Sequence, residues 1–352
     1  MSDFVPLLEA VRSKIKPPVL IALGSPRPVA DLAGALGVPD VTCFQMDTHQ
    51  AGRLSEIVAE RGLDAKVVTA PDLWDVGSDF RTVIVPVHTH GERELKLDVL
   101  DQAYHVLSPG GYCVSLSEYR RDQFCPRWHK KVFGKCSESP STKIGNAFWS
   151  ARDEGERPRR RHEVRFHARV LGGPFVEFLS RPGVFCYGRL DNGARAMLEA
   201  AEVREGDRIL DLGCGAGAVG ILAAQRAGPD CRVTFIDSNV RAAEVSRLNA
   251  ESSGLSDSRV FATADVSGPD EAEFDLVLAN PPYHAQLAVA RLFVERSRPL
   301  LKPGGRFAIV TKQPSEVIPM VEEGFPHVEA VEHRGYAVVS ARAPFAGAVP
   351  AN

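Results

Sequence analysis

The sequence predicts an α/β protein made of two tandem copies of one Rossmann-like domain, each a mostly parallel sheet with helices on both faces. Three observations carry this. Short apolar strands alternate with helical stretches through the second half. One of those strands runs straight into a glycine-rich turn and then a helix. The landmarks of the second half also occur in the first half, in the same order. A length of 352 residues suits two domains.

The repeat has a constant offset. Phe80 and Phe274, His90 and His284, Gly110 and Gly304, and Thr69 and Thr263 each stand 194 residues apart. Leu107-Ser108-Pro109-Gly110-Gly111 precedes an apolar strand at Tyr112–Leu116, as Leu301-Lys302-Pro303-Gly304-Gly305 precedes one at Arg306–Val310. Upstream, Leu23-Gly24 answers Leu212-Gly213 and Asp47 answers Asp237. The copies are expected at 1–150 and 164–352, with a basic linker at 151–163 containing Arg159, Arg160 and Arg161.

The second copy opens with a β-hairpin. Val164, Phe166, Ala168 and Val170 alternate with polar residues, Leu171-Gly172-Gly173-Pro174 turns, and Phe175–Leu179 returns. Further strands are predicted at Arg208–Leu212, Arg232–Asp237, Arg259–Ala264, Phe274–Ala279, Arg306–Thr311 and Tyr336–Ala341. Helical stretches such as Ala218–Arg226 and Val240–Ser252 lie between them.

Composition narrows the class. Apolar residues make up 44% and charged residues 25%, which excludes collagen-like, coiled-coil and disordered chains. No apolar run approaches the ~20 residues of a membrane helix. Met1-Ser2-Asp3-Phe4 does not begin a secretory signal. Seven cysteines, an odd number with no Cys-x-x-Cys, point to a reducing compartment, the cytoplasm. Cys125, His129 and Cys136 come nearest to a metal cluster but lack a fourth ligand, so no metal is expected. The net charge of −3 requires that any nucleic-acid partner be held by a local basic patch.

Asp211-Leu212-Gly213-Cys214-Gly215-Ala216-Gly217 is the cofactor loop candidate. Its glycines permit positive φ and close ligand approach, and the helix behind offers free N–H groups. Asp237 ends the next strand, where a carboxylate accepts both hydroxyl hydrogens of a ribose. Asp265 ends the third, positioned either to accept from an adenine amino group or to sit as a solvated loop carboxylate. Alone, the loop fits NAD and S-adenosylmethionine equally.

Asn280-Pro281-Pro282-Tyr283 decides between them. A planar exocyclic amine is a poor nucleophile, because its lone pair is delocalised. The Asn280 side-chain oxygen and the Pro281 carbonyl, set on its hydrogens, draw it towards a tetrahedral amine. The paired prolines stiffen the loop, and Tyr283 offers a face to stack on a base. Hydride transfer has no use for such a loop. Methyl transfer from a sulfonium needs chiefly alignment.

With these motifs the second half resembles a class I S-adenosylmethionine-dependent methyltransferase. The whole chain resembles the bacterial ribosomal RNA guanine-N2 methyltransferases built from two tandem methyltransferase-like domains. Pro182-Gly183-Val184-Phe185, Leu190-Asp191-x-Gly193 and His284 after the acceptor loop add to the match. Tyr283 departs from it, since these enzymes more often carry Phe. The resemblance implies that Asn280 orients a guanine amine and Tyr283 stacks on the base. It further implies that Asp211, Gly213, Gly215, Gly217, Asp237, Asp265 and Asn280 line the cofactor, with 185–193 closing over its methionine end. His284 reads equally as a nucleotide contact or a helix start. The implied partner is ribosomal RNA or a ribosomal subunit, met by a monomer.

The first copy is expected to be inert. Ala22, Pro26, Pro71 and Pro86 stand where the second has Asp211, Gly215, Asp265 and Asn280. Its basic end, with Lys130 and Lys131 among Tyr119, Phe124, Trp128 and Phe133, reads in two ways. It either clamps phosphates and stacks bases together with Arg159–Arg161, or is a solvated helix over buried aromatics. Other functions left open are the same chemistry on adenine N6 or a glutamine amide, and a non-catalytic RNA-binding assembly protein.

Overall fold

A computed structural model describes residues 4–88, 91–282 and 287–345, so Thr89, His90, Tyr283 and His284 lie outside the described residues. The chain divides into two compact units, Met1–His162 and Glu163–Asn352.

The first unit has one sheet of β1 (Val19–Ala22), β2 (Val41–Gln45), β3 (Ala65–Thr69), β4 (Phe80–Val87), β5 (Leu107–Ser117), β6 (Ser137–Glu138) and β7 (Asn146–Ala151). Their order is β3-β2-β1-β4-β5-β7-β6. β1 to β5 are parallel, and β7 and β6 are antiparallel additions. Its helices are α1 (Val5–Leu8), α2 (Pro26–Leu36), α3 (Thr48–Glu60), α4 (Arg93–Val106) and α5 (Phe124–Phe133).

The second unit opens with the expected hairpin, β8 (Val164–Ala168) and β9 (Val176–Ser180), as a separate two-stranded sheet. Its main sheet has β10 (Arg208–Leu212), β11 (Arg232–Asp237), β12 (Arg259–Ala262), β13 (Phe274–Ala279), β14 (Leu301–Thr311), β15 (Val328–His333) and β16 (Tyr336–Arg342). The order is β12-β11-β10-β13-β14-β16-β15, the same path as in the first unit. The helices are α6 (Asn192–Ala200), α7 (Ala218–Ala227), α8 (Val240–Ser252), α9 (Leu287–Leu300) and α10 (Pro314–Gly324). Apolar cores cover both sheet faces, one built on Ile209, Phe235 and Leu276, the other on Leu210, Ile236 and Val277.

Sheet register corrects the repeat alignment. Ile21 pairs with Ile84 as Asp211 pairs with Leu278, and Ile84 and Leu278 stand 194 apart. Asp211 is therefore answered by Ile21, not Ala22. A slip of one residue puts a side chain on the opposite face. Likewise Gln45, not Asp47, answers Asp237, since Val41 pairs with Val19 as Val233 pairs with Ile209. Asp47 answers Asn239, and both cap the next helix through a side-chain oxygen. Thr69 pairs with Gln45 as Ala262 pairs with Asp237, which places Asp72, not Pro71, opposite Asp265. Pro26 opens α2 as Ala218 opens α7, so it does not answer Gly215. Only Leu23, Gly24 and Ser25 separate β1 from α2, where Gly213 to Gly217 separate β10 from α7. Pro86 does stand opposite Asn280.

The first unit has thus lost more than the alignment implied. Gln45 donates its Nε2 proton to Gly24 O at 2.9 Å. Asp72 is buried and accepts from Gln102 Nε2 at 2.8 Å. Neither remains a carboxylate offered at a strand end.

After β7 the chain stays largely exposed over residues 152–162 but is tied to the first unit at several points. The Tyr104 hydroxyl lies within hydrogen-bond reach of both Asp153 and Gly155 O, sharing its single proton between them. The Arg157 guanidinium lies 4.4 Å from the Tyr104 ring centroid and donates to Val132 O. His162 Nε2 meets Asp101 at 2.5 Å. Residues 152–162 form a strap packed on α4 and α5.

Candidate active site

In a doubly wound sheet, ligands bind beyond the carboxyl ends of the strands where the order reverses. In the second unit those strands are β10 and β13. Their ends carry Asp211 to Gly213 and Asn280. The Asn280 N–H points at Leu212 O at 3.5 Å. The Asn280 carbonyl lies 3.6 Å from where a Gly213 Cβ would stand.

Gly213, Gly215 and Gly217 have φ of 71°, 54° and 76°, the left-handed region that L side chains avoid. The Gly215 N–H donates to Asp237 Oδ2 at 2.9 Å, and the Asn239 N–H to Asp237 Oδ1 at 2.8 Å. Asp237 is thereby fixed at the end of β11. The Gly220 N–H donates to Asp211 Oδ2 at 2.8 Å. A Cβ on Gly220 would stand 2.6 Å from the Phe235 ring, so the first turn of α7 can approach the sheet only with glycine there.

Asp211 is 1% exposed, and its Oδ1 has no hydrogen-bond partner among the described residues. Burial pushes its carboxyl up, against the pull of the Gly220 N–H, and nearby Asp237 pushes it further, to about 7. Asp265 is the opposite case. It is exposed just beyond β12, and hydrogen bonds from Ser267 and Thr263 hold it down at about 2.

The segment after β9 crosses this loop. Buried Arg241 donates to Pro182 O at 2.6 Å, and Asn239 Nδ2 to Gly183 O at 2.8 Å. Phe185 follows, 48% exposed, with its Cβ 4.0 Å from where a Gly215 Cβ would be. Asp191 then caps α6, its Oδ2 accepting from the Ala194 N–H at 3.0 Å. The same oxygen accepts from Asn280 Nδ2 at 3.2 Å. In the sequence Asp191 belongs to the Leu190-Asp191-x-Gly193 motif, with nothing there to name Asn280 as its partner. Its signal was an N-cap residue before a helical run.

These residues fit a nucleoside carrying a positive charge. Asp237 ends β11 and Asp265 lies three residues beyond β12, each with a carboxyl group able to accept from hydroxyl or amino donors. The positive-φ glycines leave room against the backbone. The orphaned buried oxygen of Asp211 suits a cation, which would favour its ionised form. Asp211, Gly213, Gly215, Gly217, Asp237 and Asn280 are thus brought to one end of the sheet. Pro281 is buried beside them, and Tyr283 and His284 lie outside the described residues.

Lys130, Lys131, Arg159, Arg160 and Arg161 are all exposed on the first unit. Lys131 Nζ lies 4.3 Å from the Trp128 ring centroid, and the Arg159 guanidinium 5.3 Å from that of Trp74. A cavity of about 320 Å³ opens beside Lys131, Arg157 and Arg160. Three of the four interleaved aromatics are taken up by the core. Trp128 and Phe133 are buried in the core and Phe124 packs on it, because α5 is amphipathic; Tyr119 is 37% exposed.

His129 is buried with both ring nitrogens engaged, Nε2 with Ser115 Oγ at 2.8 Å and Nδ1 with Ser150 Oγ at 2.9 Å. It serves the sheet rather than a metal. No group of three or more His, Cys, Asp or Glu able to hold a metal occurs among the described residues. All seven cysteines are free thiols. No helix among the described residues is long and apolar enough to cross a membrane.

The family profile described as methyltransferase small domain matches residues 175–340, spanning the glycine loop and the acceptor loop. The uncharacterized protein YbxB of Bacillus subtilis is 31% identical over 212 residues, covering 58% of this chain and 96% of that one. This chain belongs to the methyltransferase small domain family. The ribosomal RNA small subunit methyltransferase C of Pseudomonas aeruginosa (strain LESB58) is 33% identical over 172 residues, 47% of this chain and 51% of that one. The chain spans about half the length of the methyltransferase C relatives it matches. Among solved structures, the T. thermophilus 16S rRNA N2 G1207 methyltransferase (RsmC) in complex with AdoMet and guanosine aligns with TM-score 0.73 and 22% identity. That alignment covers 96% of this chain and 92% of that one. At this identity the likeness speaks for the fold, two Rossmann-like methyltransferase domains in tandem.

Proposed function

We propose that this family member is an S-adenosylmethionine-dependent methyltransferase acting on the exocyclic N2 amine of a guanine in ribosomal RNA. The observation that carries it is Asn280, buried at the end of β13 with its carbonyl against Gly213 of the glycine loop. An amine acceptor and a cofactor loop thus share one strand-end crevice. The methyltransferase C relatives and the solved RsmC, bound to AdoMet and guanosine, support the choice of guanine in ribosomal RNA.

When bound, S-adenosylmethionine supplies an electrophilic methyl group on a sulfonium. Asp237 accepts from the ribose hydroxyls and Asp265 from the adenine amino group. Gly213, Gly215 and Gly217 keep the backbone free of side chains that would block the ligand. Asp211 balances positive charge below the loop. Asn280 Oδ1 and the Pro281 carbonyl accept the two amine hydrogens, raising electron density on the nitrogen before reaction. Pro281 and Pro282 keep that loop stiff. Tyr283 stacks on the guanine and His284 hydrogen-bonds the nucleotide. The guanine must be unpaired or flipped, since N2 otherwise lies in the pairing edge.

The first copy, 1–150, works without cofactor. It and the basic segment 151–163 grip RNA phosphates with Lys130, Lys131 and Arg159–Arg161, while 164–352 carries the chemistry. The protein acts in the cytoplasm as a monomer, without metal.

Tritium transfer from methyl-labelled cofactor to ribosomal RNA, followed by nucleoside mapping, tests the reading. Label in N2-methylguanosine is expected. Label in N6-methyladenosine or in protein would replace guanine with another planar amine. Binding of RNA without transfer would leave an assembly protein.

A further inference from the structure

We infer that Asp191 is a positioning residue for methyl transfer, setting which way round the Asn280 carboxamide faces. This rests on Asn280 being the amine acceptor. A carboxylate only accepts hydrogen bonds. Asp191 Oδ2, 3.2 Å from Asn280, therefore holds the Nδ2 branch of that amide and repels its oxygen. With Nδ2 held, Oδ1 is the branch turned away from Asp191. In the reversed amide, two acceptors would face each other in a buried pocket and a donor would face the substrate amine. Both side chains are 8% exposed, so water does not readily compensate such a reversal.

Asp191 is itself anchored. The Ala194 N–H at 3.0 Å ties the same oxygen to the first turn of α6. The orienting group thus rides on a helix, whereas Asn280 sits at the mouth of a loop. The two residues come from opposite sides of the glycine loop in sequence, and the fold alone brings them together.

The experiment uses the full chain, a ribosomal RNA substrate and saturating cofactor. Asp191→Ser retains a helix-capping oxygen but is too short to reach Asn280. Asp191→Asn keeps size and cap but lets the two amides pair in either sense. A graded fall in kcat is expected, a few-fold for Asp191→Asn and more than tenfold for Asp191→Ser. Cofactor affinity by calorimetry should stay within threefold and Tm close to wild type. Adding Asp191→Ser to Asn280→Ala should lower kcat no further than Asn280→Ala alone.

If Asp191→Ser keeps kcat within twofold while Asn280→Ala is inactive, the positioning role is overturned and the acceptor role stands. If Asn280→Ala is itself active, the acceptor reading falls. A loss confined to cofactor affinity, with kcat intact at saturation, would also overturn the inference. Should Asp191→Ser not fold, Asp191→Asn decides: kcat equal to wild type overturns it.

Discussion

Gly220 and Asp211 are joined by one hydrogen bond of 2.8 Å that satisfies a single oxygen of a fully buried carboxyl. The other oxygen has no hydrogen-bond partner among the described residues, and the group titrates at about 7 rather than 3.8. In the free protein the carboxyl keeps its proton below pH about 7, and a positive charge brought near it would lower that value.

Cofactor affinity should therefore depend on pH. Below about 7 the free Asp211 holds a proton that a cationic ligand expels. Between pH 5.5 and 6.5, calorimetry of S-adenosylmethionine binding in buffers of different ionisation enthalpy should show proton release and tighter binding as pH rises. Asp211→Asn should abolish the release. The stability effect has the opposite sign. A carboxyl raised by folding favours the unliganded fold at low pH and loses that contribution as pH climbs from about 4 to 7.

Gly220→Ala should destabilise the protein. Its new Cβ would meet Phe235 at 2.6 Å and Val233 at 2.8 Å, both buried. Overpacking of this kind costs about 1–3 kcal/mol. A lowered Tm together with weakened cofactor binding is expected, since the same N–H aligns Asp211.

Asn280→Ala should separate binding from chemistry. On the proposed mechanism Asn280 is one of two acceptors on the amine, and removal of one preorganised hydrogen-bonding group costs about a hundredfold or more in kcat. Single-turnover assays should show that loss with cofactor affinity little changed. Retained transfer would remove the acceptor mechanism.

His129 should make the first unit acid-sensitive. Burial holds the imidazole down at about 4, against 6.5 unfolded. The unfolded chain then binds more protons between those values, so stability present above pH 6.5 is lost as pH falls towards 4. His129→Gln removes the titration and should flatten the pH dependence of the thermal midpoint across that window.

Replacing Arg159, Arg160 and Arg161 by alanine should weaken RNA binding without affecting cofactor affinity. Each lost contact to a single-stranded phosphate lowers the salt slope of log affinity by about 0.7. Fluorescence anisotropy from 50 to 200 mM salt measures it. An unchanged slope would place these arginines in solvent.

The sequence by itself determined the alternation of strands and helices, the 194-residue repeat, the glycine loop and Asn280-Pro281-Pro282. Each of these is a local pattern or a comparison along the chain, and neither needs a third dimension. Even so, β15 escaped notice, because an edge strand reading Val-Glu-Ala-Val-Glu-His buries too little to look like one. Only tertiary structure decided that Ile21 and Gln45 answer Asp211 and Asp237, since a one-residue slip in a short apolar strand leaves its composition unchanged while reversing its faces. It alone put Trp128 and Phe133 in the core and bound residues 152–162 to the first unit. It alone joined Asp191 to Asn280, 89 residues apart, because hydrogen-bond partners are chosen by where helices and strands end in space.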